Sequence, residues 1–326
     1  MSEDYLSDPN IGLRLIPEQA SRHAEGVDML YFALLGFSAL LVTVLVGLVV
    51  TFGFRYRAGK TFRRRVTASH VGHRVEVGFA LSLGVVFMAL FAWAGKLYLN
   101  VYANTPAQAT LNVVAKQWMW KVQHPDGTRE INTLHVPANQ SVRLRITSQD
   151  VIHSFSVPAL RLKRDAVPGL YTSVTFVADK PGEYRLFCAE YCGTDHSRMR
   201  GKMVVMAPSD YQNWLTRNGT GTTPAAAGKA LFRSYGCSGC HMGESSVRAP
   251  SLDGVYGRSV ALANGGIIIA DEAYLRDSIM RPQKHIVAGY QPVMPSFSGQ
   301  ISESDVLQII AYLQSLKPGD WRTEAP

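Results

Sequence analysis

Cysteine is scarce in this chain. There are four in 326 residues, Cys188 with Cys192 and Cys237 with Cys240, so at most two disulfides could form. Charge is missing over two long stretches: 26 residues from Met29 to Phe54, and 19 from Val77 to Gly95, bounded by Glu76 and Lys96. A 26-residue helix is about 39 Å long, enough to cross a hydrocarbon core of roughly 30 Å with some tilt. The unbroken apolarity of the first run argues against a buried helix of a soluble protein. Acidic residues are absent between 29 and 75, where Arg55, Arg57, Lys60, Arg63, Arg64, Arg65 and Arg74 account for most of the net charge of +8. No internal repeat is visible. Disorder is excluded by a hydrophobic content of 47%.

The basic cluster lies between the two uncharged runs, where Lys and Arg mark the inner side of a membrane. It reads as a topology signal and not as a nucleic-acid surface. The expected arrangement is a helical hairpin with the N-terminus outside, residues 55–75 inside, and everything after residue 96 outside. A cleaved signal peptide is not expected, because the segment before the first run is acidic and the run is too long. The outer compartment is then the oxidising periplasm or its equivalent.

The external part divides in two. Strands are expected at Thr110–Val122, Val142–Thr147, Thr172–Val177, Glu183–Phe187 and Lys202–Met206, with turns at Pro125-Asp126-Gly127, Pro168-Gly169 and Pro181-Gly182. Short strands at this spacing suggest a β-sandwich or barrel. Residues 218–227, rich in Gly, Thr, Pro and Ala, read as a flexible linker. Residues 228–317 read as helical. The clearest helix is Ser304–Leu316, with a capping-box-like start at Ser302 and Asp305 and a stop at Pro318-Gly319.

Both cysteine pairs have neighbours that argue against plain disulfides. Cys237-Ser238-Gly239-Cys240-His241 is the pattern of covalent haem c attachment, in which two thiols add to the vinyl groups and the histidine ligates iron. The second axial ligand is expected far downstream, as methionine, at Met294 within Pro292-Val293-Met294-Pro295; Met280 and Met242 are rivals. The other pair lies in a stretch from Cys188 to Met199 that also holds Glu190, Cys192 and His196. Thioether and thiolate donors favour copper over zinc. A mononuclear blue-copper site needs one cysteine, whereas two cysteines four apart can bridge two copper ions. The second histidine such a site needs is offered by His153, in Val151-Ile152-His153-Ser154-Phe155. A Cys2His2 zinc site has the right ligand count but leaves Glu190 and Met199 without a role.

The Cys-x-Glu-x-Cys-x3-His-x2-Met motif, the upstream His-Ser-Phe and Gln117-Trp118-Met119-Trp120 together resemble subunit II of haem-copper cytochrome c oxidases. The added haem c domain makes the chain similar to the caa3 type. The resemblance covers nearly the whole chain. It implies a two-helix anchor over residues 1–100 and an all-β cupredoxin domain over 101–217. After the linker, an all-α cytochrome c domain is implied over 228–326. It also implies a binuclear copper site, CuA, held by His153, Cys188, Cys192, His196, Met199 and the carbonyl of Glu190. The Glu190 side chain would reach a magnesium or manganese ion at the boundary with the catalytic subunit, near the stretch that contains Asp165. Trp118 matches the residue where electrons enter from cytochrome c. Glu76 matches an acidic residue at the mouth of a proton channel. The family's Trp-Thr and proline at that point are replaced here by Val77-Gly78-Phe79-Ala80. His70, His73, His124 and His135 are read as solvated or structural.

The expected function is to admit electrons to a proton-pumping terminal oxidase. Electrons would pass from haem c to CuA and on to haem a of subunit I, where oxygen is reduced to water. Implied partners are subunit I, subunit III, a cytochrome c or bc-type complex as donor, and the lipid bilayer of a bacterial inner membrane, but no nucleic acid. Rival readings are the equivalent subunit of a CuA-containing nitric oxide reductase and a membrane-tethered electron carrier. Residues 100–223 carry +5 and residues 224–326 carry zero. A positive cupredoxin surface would repel a separate basic cytochrome c. The tethered haem, held by a short linker at roughly millimolar effective concentration, is therefore expected to be the main donor.

Overall fold

The computed structural model describes residues 16–57, 69–102, 106–219, 221–241 and 249–317. Two long helices, α1 (Ala24–Arg55) and α2 (Ser69–Tyr102), are each long and apolar enough to cross a membrane. They expose Leu45, Val49, Phe79 and Val85 along their length, surface that is stable against hydrocarbon but not against water. Phe37 of α1 meets Phe87 of α2 edge to face, with ring centroids 5.7 Å apart. Both helices extend beyond the uncharged runs. Glu76 consequently stands inside α2 and not at its head, and it is exposed. Of the basic cluster, Lys60, Arg63, Arg64 and Arg65 lie outside the described residues.

Ten strands follow: β1 (Ala109–Lys116), β2 (Met119–Gln123), β3 (Arg129–Ile131), β4 (Thr133–Pro137), β5 (Ser141–Ser148), β6 (His153–Val157), β7 (Leu162–Ala166), β8 (Thr172–Val177), β9 (Gly182–Cys188) and β10 (Arg200–Met206). They form two five-stranded sheets, in the orders β3-β2-β1-β5-β8 and β4-β10-β9-β6-β7. The β1–β5 and β4–β10 pairs are parallel and the others antiparallel. Side chains alternate as a half-buried sheet requires. In β9, Tyr184, Leu186 and Cys188 face inward while Glu183 and Arg185 face water. The core between the sheets is filled by Leu111, Trp120, Leu144, Ile146, Phe155, Leu186 and Met203, all fully buried.

The stretch Thr110–Val122, expected as one strand, is a hairpin. Lys116 pairs with Met119, and the Gln117–Trp118 step, a cis peptide, makes the turn. No Gly, Pro or Asn marks the reversal.

After the sandwich come α3 (Pro208–Asn218), α4 (Pro224–Ser234), α5 (Ser238–His241), β11 (Ser259–Ala261), β12 (Ile267–Ile269), α6 (Glu272–Met280) and α7 (Glu303–Ser315). The stretch read as linker is corrected at its C-terminal end, because α4 starts at Pro224. The Thr223 hydroxyl accepts from Ala226 N, Pro224 occupies the first turn, and three alanines favour helix. Gly228 belongs to the packing of α4 on α7, for a Cβ there would come within 1.9 Å of the Gln308 carbonyl oxygen. The region read as wholly helical also contains the β11–β12 hairpin, turned by Asn264-Gly265-Gly266 with Gly265 at φ +85°. Helix α7 starts where expected, with Ser302 Oγ accepting from Asp305 N at 3.2 Å. Its proposed stop, Pro318-Gly319, lies outside the described residues.

Candidate metal centre and haem cleft

The first candidate site forms where β6 and β9 run side by side. His153 opens β6 and Cys188 closes β9, so the ladder brings them together, with Ala189 N donating to Ser154 O at 2.9 Å. The chain then loops through Cys192, His196 and Met199 and returns as β10. Cys188 N closes the loop by donating to Met199 O at 3.1 Å. Cys188 Sγ lies 3.8 Å from Cys192 Sγ, 3.9 Å from His153 Nδ1 and 3.2 Å from the Glu190 carbonyl oxygen. Cys192 Sγ lies 3.4 Å from His196 Nδ1 and 3.8 Å from Met199 Sδ. No disulfide joins any of the four cysteines. His153, Cys188, Cys192 and Met199 are buried, and His196 is half-buried. His153, Cys188 and Cys192 form a group compact enough to hold a metal ion.

The electrostatics suit a cation. Burial alone would raise both thiols. Hydrogen bonding with His153 and with the backbone at Ser154 and Glu190 brings Cys188 down to about 6. For Cys192, burial and the neighbouring Cys188 charge add together and push it up to about 12. The first proton therefore leaves readily, and a cation between the sulfurs would favour loss of the second.

A residue not singled out in the sequence holds His153 in place. Asp150 Oδ1 is 2.8 Å from His153 Nε2, which leaves Nδ1 toward the sulfurs. Asp150 in turn accepts from Gln117 N and Val151 N, each at 2.7 Å. A carboxylate on the far nitrogen is the usual support of a ligating histidine. The only sequence signal would have been an acid three residues before it. Trp118 covers the loop from outside: a Cβ at Gly193, which has φ +117°, would lie 3.3 Å from Trp118 Cζ2. Gln117 Nε2 donates to Cys192 O at 2.8 Å. Trp118 is partly buried against the sandwich core.

Glu190 is exposed, so its carbonyl faces the sulfurs while its carboxylate faces outward. Asp165 is exposed too, and accepts from Ser154 Oγ at 2.7 Å and Lys163 Nζ at 3.0 Å. His124 and His135 are structural. Both bond Glu130, at 2.7 and 2.6 Å, and both pack against Trp214 of α3.

The second site is an apolar cleft of about 350 Å³ in the helical region, lined among others by Cys237, Cys240, His241, Leu275, Ile279 and Met294. His241 Nδ1 is 3.0 Å from the Pro250 carbonyl oxygen, which can only accept, so Nδ1 donates and Nε2 keeps its lone pair. Burial holds this imidazole below the usual histidine range. A neutral ring with one nitrogen so fixed is poised to bind a metal. Met294 lines the same cleft. Met280 packs against the apolar core of this region instead. Met242 lies outside the described residues.

Residues 129–207 match the family described as cytochrome c oxidase subunit II, periplasmic domain, and residues 225–317 match cytochrome c. A cytochrome c oxidase subunit 2 from Thermostichus vulcanus is 29% identical over 263 residues, spanning 63% of this chain and 78% of that protein. One from Alkalihalophilus pseudofirmus is 30% identical over 215 residues, spanning 64% and 61%. The crystal structure of the periplasmic domain of subunit II of cytochrome oxidase (CoxB) of Bradyrhizobium japonicum is 30% identical. It corresponds to 35% of this chain and 95% of that one, with a TM-score of 0.34.

Proposed function

This chain belongs to the cytochrome c oxidase subunit II family, and from that premise we propose that it takes electrons on a covalent haem c and passes them through a binuclear CuA site to its catalytic partner. It is the electron-receiving subunit of a haem-copper oxidase and associates with subunit I. Copper belongs to the cupredoxin domain and haem to the cytochrome domain. The chain is a membrane protein with periplasmic domains. The fusion of the two redox domains fits the caa3 type, and the relatives do not favour the nitric oxide reductase reading.

The finer assignments are ours. His153, Cys188, Cys192, His196, Met199 and the Glu190 carbonyl would hold the two copper ions of CuA. When bound, the copper pair shares one electron over two metals, so that little geometric change accompanies reduction. The chain's own work is to keep that geometry fixed: Asp150 sets the tautomer and tilt of His153, and the β6–β9 ladder sets the spacing of His153 and Cys188. Cys237 and Cys240 would attach haem c, and His241 and Met294, which line the same cleft, would hold its iron. The exposed carboxylate of Glu190 would reach a magnesium or manganese ion at the boundary with subunit I, near the stretch that holds Asp165. Trp118 is the point where an external cytochrome c or bc-type donor would deliver electrons, and Glu76 serves proton uptake from the inner side. The spans lie in a bacterial inner membrane, and subunit III completes the complex.

The observation that carries this reading is the six-donor cluster around Cys188 and Cys192. Absorption spectroscopy of the purified chain tests it. The expected result is a haem c band together with a near-infrared mixed-valence copper band that Cys192→Ser removes. A haem c band with no near-infrared copper band refutes the CuA assignment. Deleting residues 224–326 tests the tethered donor: turnover with added basic cytochrome c is expected to fall far below that of the full chain, and wild-type turnover would overturn the idea.

A further inference from the structure

Two acids in the helical domain do more than favour helix starts. Glu272 and Glu303 are the first residues of α6 and α7, where a carboxylate suits the helix dipole. Both also reach the β-sandwich. Glu272 Oε1 pairs with Arg145 Nη1 of β5 at 2.9 Å, with the arginine side chain 17% exposed and the glutamate 28%. Arg145 is fixed by its Nε, which donates to Asn112 Oδ1 at 2.9 Å, and its guanidinium sits 5.9 Å from the centre of the Tyr171 ring. Tyr171, between β7 and β8, packs against the apolar core of the haem domain and donates its hydroxyl to Glu303 Oε1 at 3.2 Å. Glu303 is buried and is gripped by Arg276 of α6, through Nε at 2.6 Å and Nη2 at 3.0 Å.

The contacts lie between the two redox sites. On one side, Leu275 and Ile279 of α6 line the haem cleft, while Glu272 and Arg276 of the same helix serve the contact. On the other side, Thr172, next to Tyr171, donates to Asp165 O at 2.6 Å, and the adjoining Ala166 is the cross-strand partner of His153. A groove of about 280 Å³, lined by residues of β1, β2 and β3 and by Ser302, Ser304, Asp305 and Leu307, remains open beside the contact. Polar anchors beside an incompletely filled groove are the character of a separable interface and not of a shared core.

We propose that Arg145 and Tyr171 form a docking surface for the chain's own haem domain, engaged by Glu272, Glu303 and Arg276, from which the tethered haem works at one fixed position on the His153 side of the copper donors. Its purpose rests on the tethered-donor reading; its existence does not. The charges match across it at one pair, Arg145 with Glu272, while Glu303, already paired with Arg276 of its own domain, meets the sandwich through the Tyr171 hydroxyl. The ring of Tyr171 gives the contact an aromatic anchor that one ion pair alone would lack.

Hydrogen–deuterium exchange on the full-length holoprotein in detergent tests the surface without transferring an electron. Peptides covering 169–174 and 272–280 report it, and unchanged haem and copper bands certify each variant as folded. Arg145→Glu and Tyr171→Ala are each expected to speed exchange in both peptides by about tenfold or more, as a local opening loses its closing contacts. The exchanged pair Arg145→Glu with Glu272→Arg is expected to restore protection, which a merely misfolded variant would not do. Wild-type protection in both single variants, or no recovery in the exchanged pair, overturns the proposal. If protection is lost while the haem-to-copper rate is unchanged, the surface stands and the tethered-donor reading falls.

Discussion

Glu130 offers the sharpest test of how the cupredoxin domain is held together. Its side chain is 7% exposed and lies between two histidines, with Oε1 2.7 Å from His124 Nε2 and Oε2 2.6 Å from His135 Nδ1. His124 is buried and also bonds the Tyr211 hydroxyl at 2.9 Å, while Trp214 stacks on His135 with ring centroids 4.3 Å apart. The cluster thus pins α3 to β2, β3 and β4. Burial alone would push the Glu130 carboxyl up, but the hydrogen bonds from His124 and His135 bring it from the ordinary 4.5 down to about 2. Such a change is worth on the order of 3 kcal/mol, at about 1.4 kcal/mol for each tenfold. The folded value lies below the unfolded one, so this stability is fully present above about pH 4.5 and is lost as pH falls toward about 2. Glu130→Gln removes it at every pH. Urea unfolding of the full chain in detergent, followed by tryptophan fluorescence between about pH 6 and pH 2.5, is the assay. The wild type is expected to exceed the variant by about 3 kcal/mol at neutral pH, by about half of that at pH 3, and to approach it only as pH falls toward about 2. Copper loss in acid is common to both chains and cancels in the difference. A gap that stays constant across the window would refute the reasoning, because the loss would then be one of packing and not of a charged hydrogen bond.

Two further predictions concern the haem domain. Met294→Leu is expected to lower the haem c reduction potential by roughly 0.1 V or more, out of the ~0.8 V that axial ligation spans; an unchanged redox titration would return the sixth position to another residue. Gly228→Ala drives a methyl group into the Gln308 carbonyl. It is expected to cost about 1–3 kcal/mol or more, read as a lower haem-domain melting temperature, whereas an alanine at Gly239, where a Cβ meets nothing within 4 Å, should be nearly silent.

What was legible in the sequence follows from how far apart the cooperating residues lie. Cys237, Cys240 and His241 lie within five residues, and Cys188 to Met199 within one loop, so their spacing is enough to group them as candidate ligands. His153 is 35 residues from Cys188, and was reachable only because a two-copper site demands a second histidine. Asp150 carried no such demand; its role appears only when the β6 register points His153 Nε2 back at it. The stretch from Pro224 to Ala227 reads as linker in the sequence, although it is helix, because small residues have two physical meanings. They leave a free chain flexible, but they also let two helices approach closely, and the Gln308 carbonyl against Gly228 decides for the second. Arg145 and Tyr171 lie further still from legibility. Each is ordinary in its own strand or loop, and their partners are 127 and 132 residues away. The positive charge of the cupredoxin segment, taken alone, only disfavours a basic external cytochrome. Once Arg145 is seen paired to Glu272, part of that charge has a partner within the chain, so Arg145 serves the chain's own contact and not the repulsion of an outside donor.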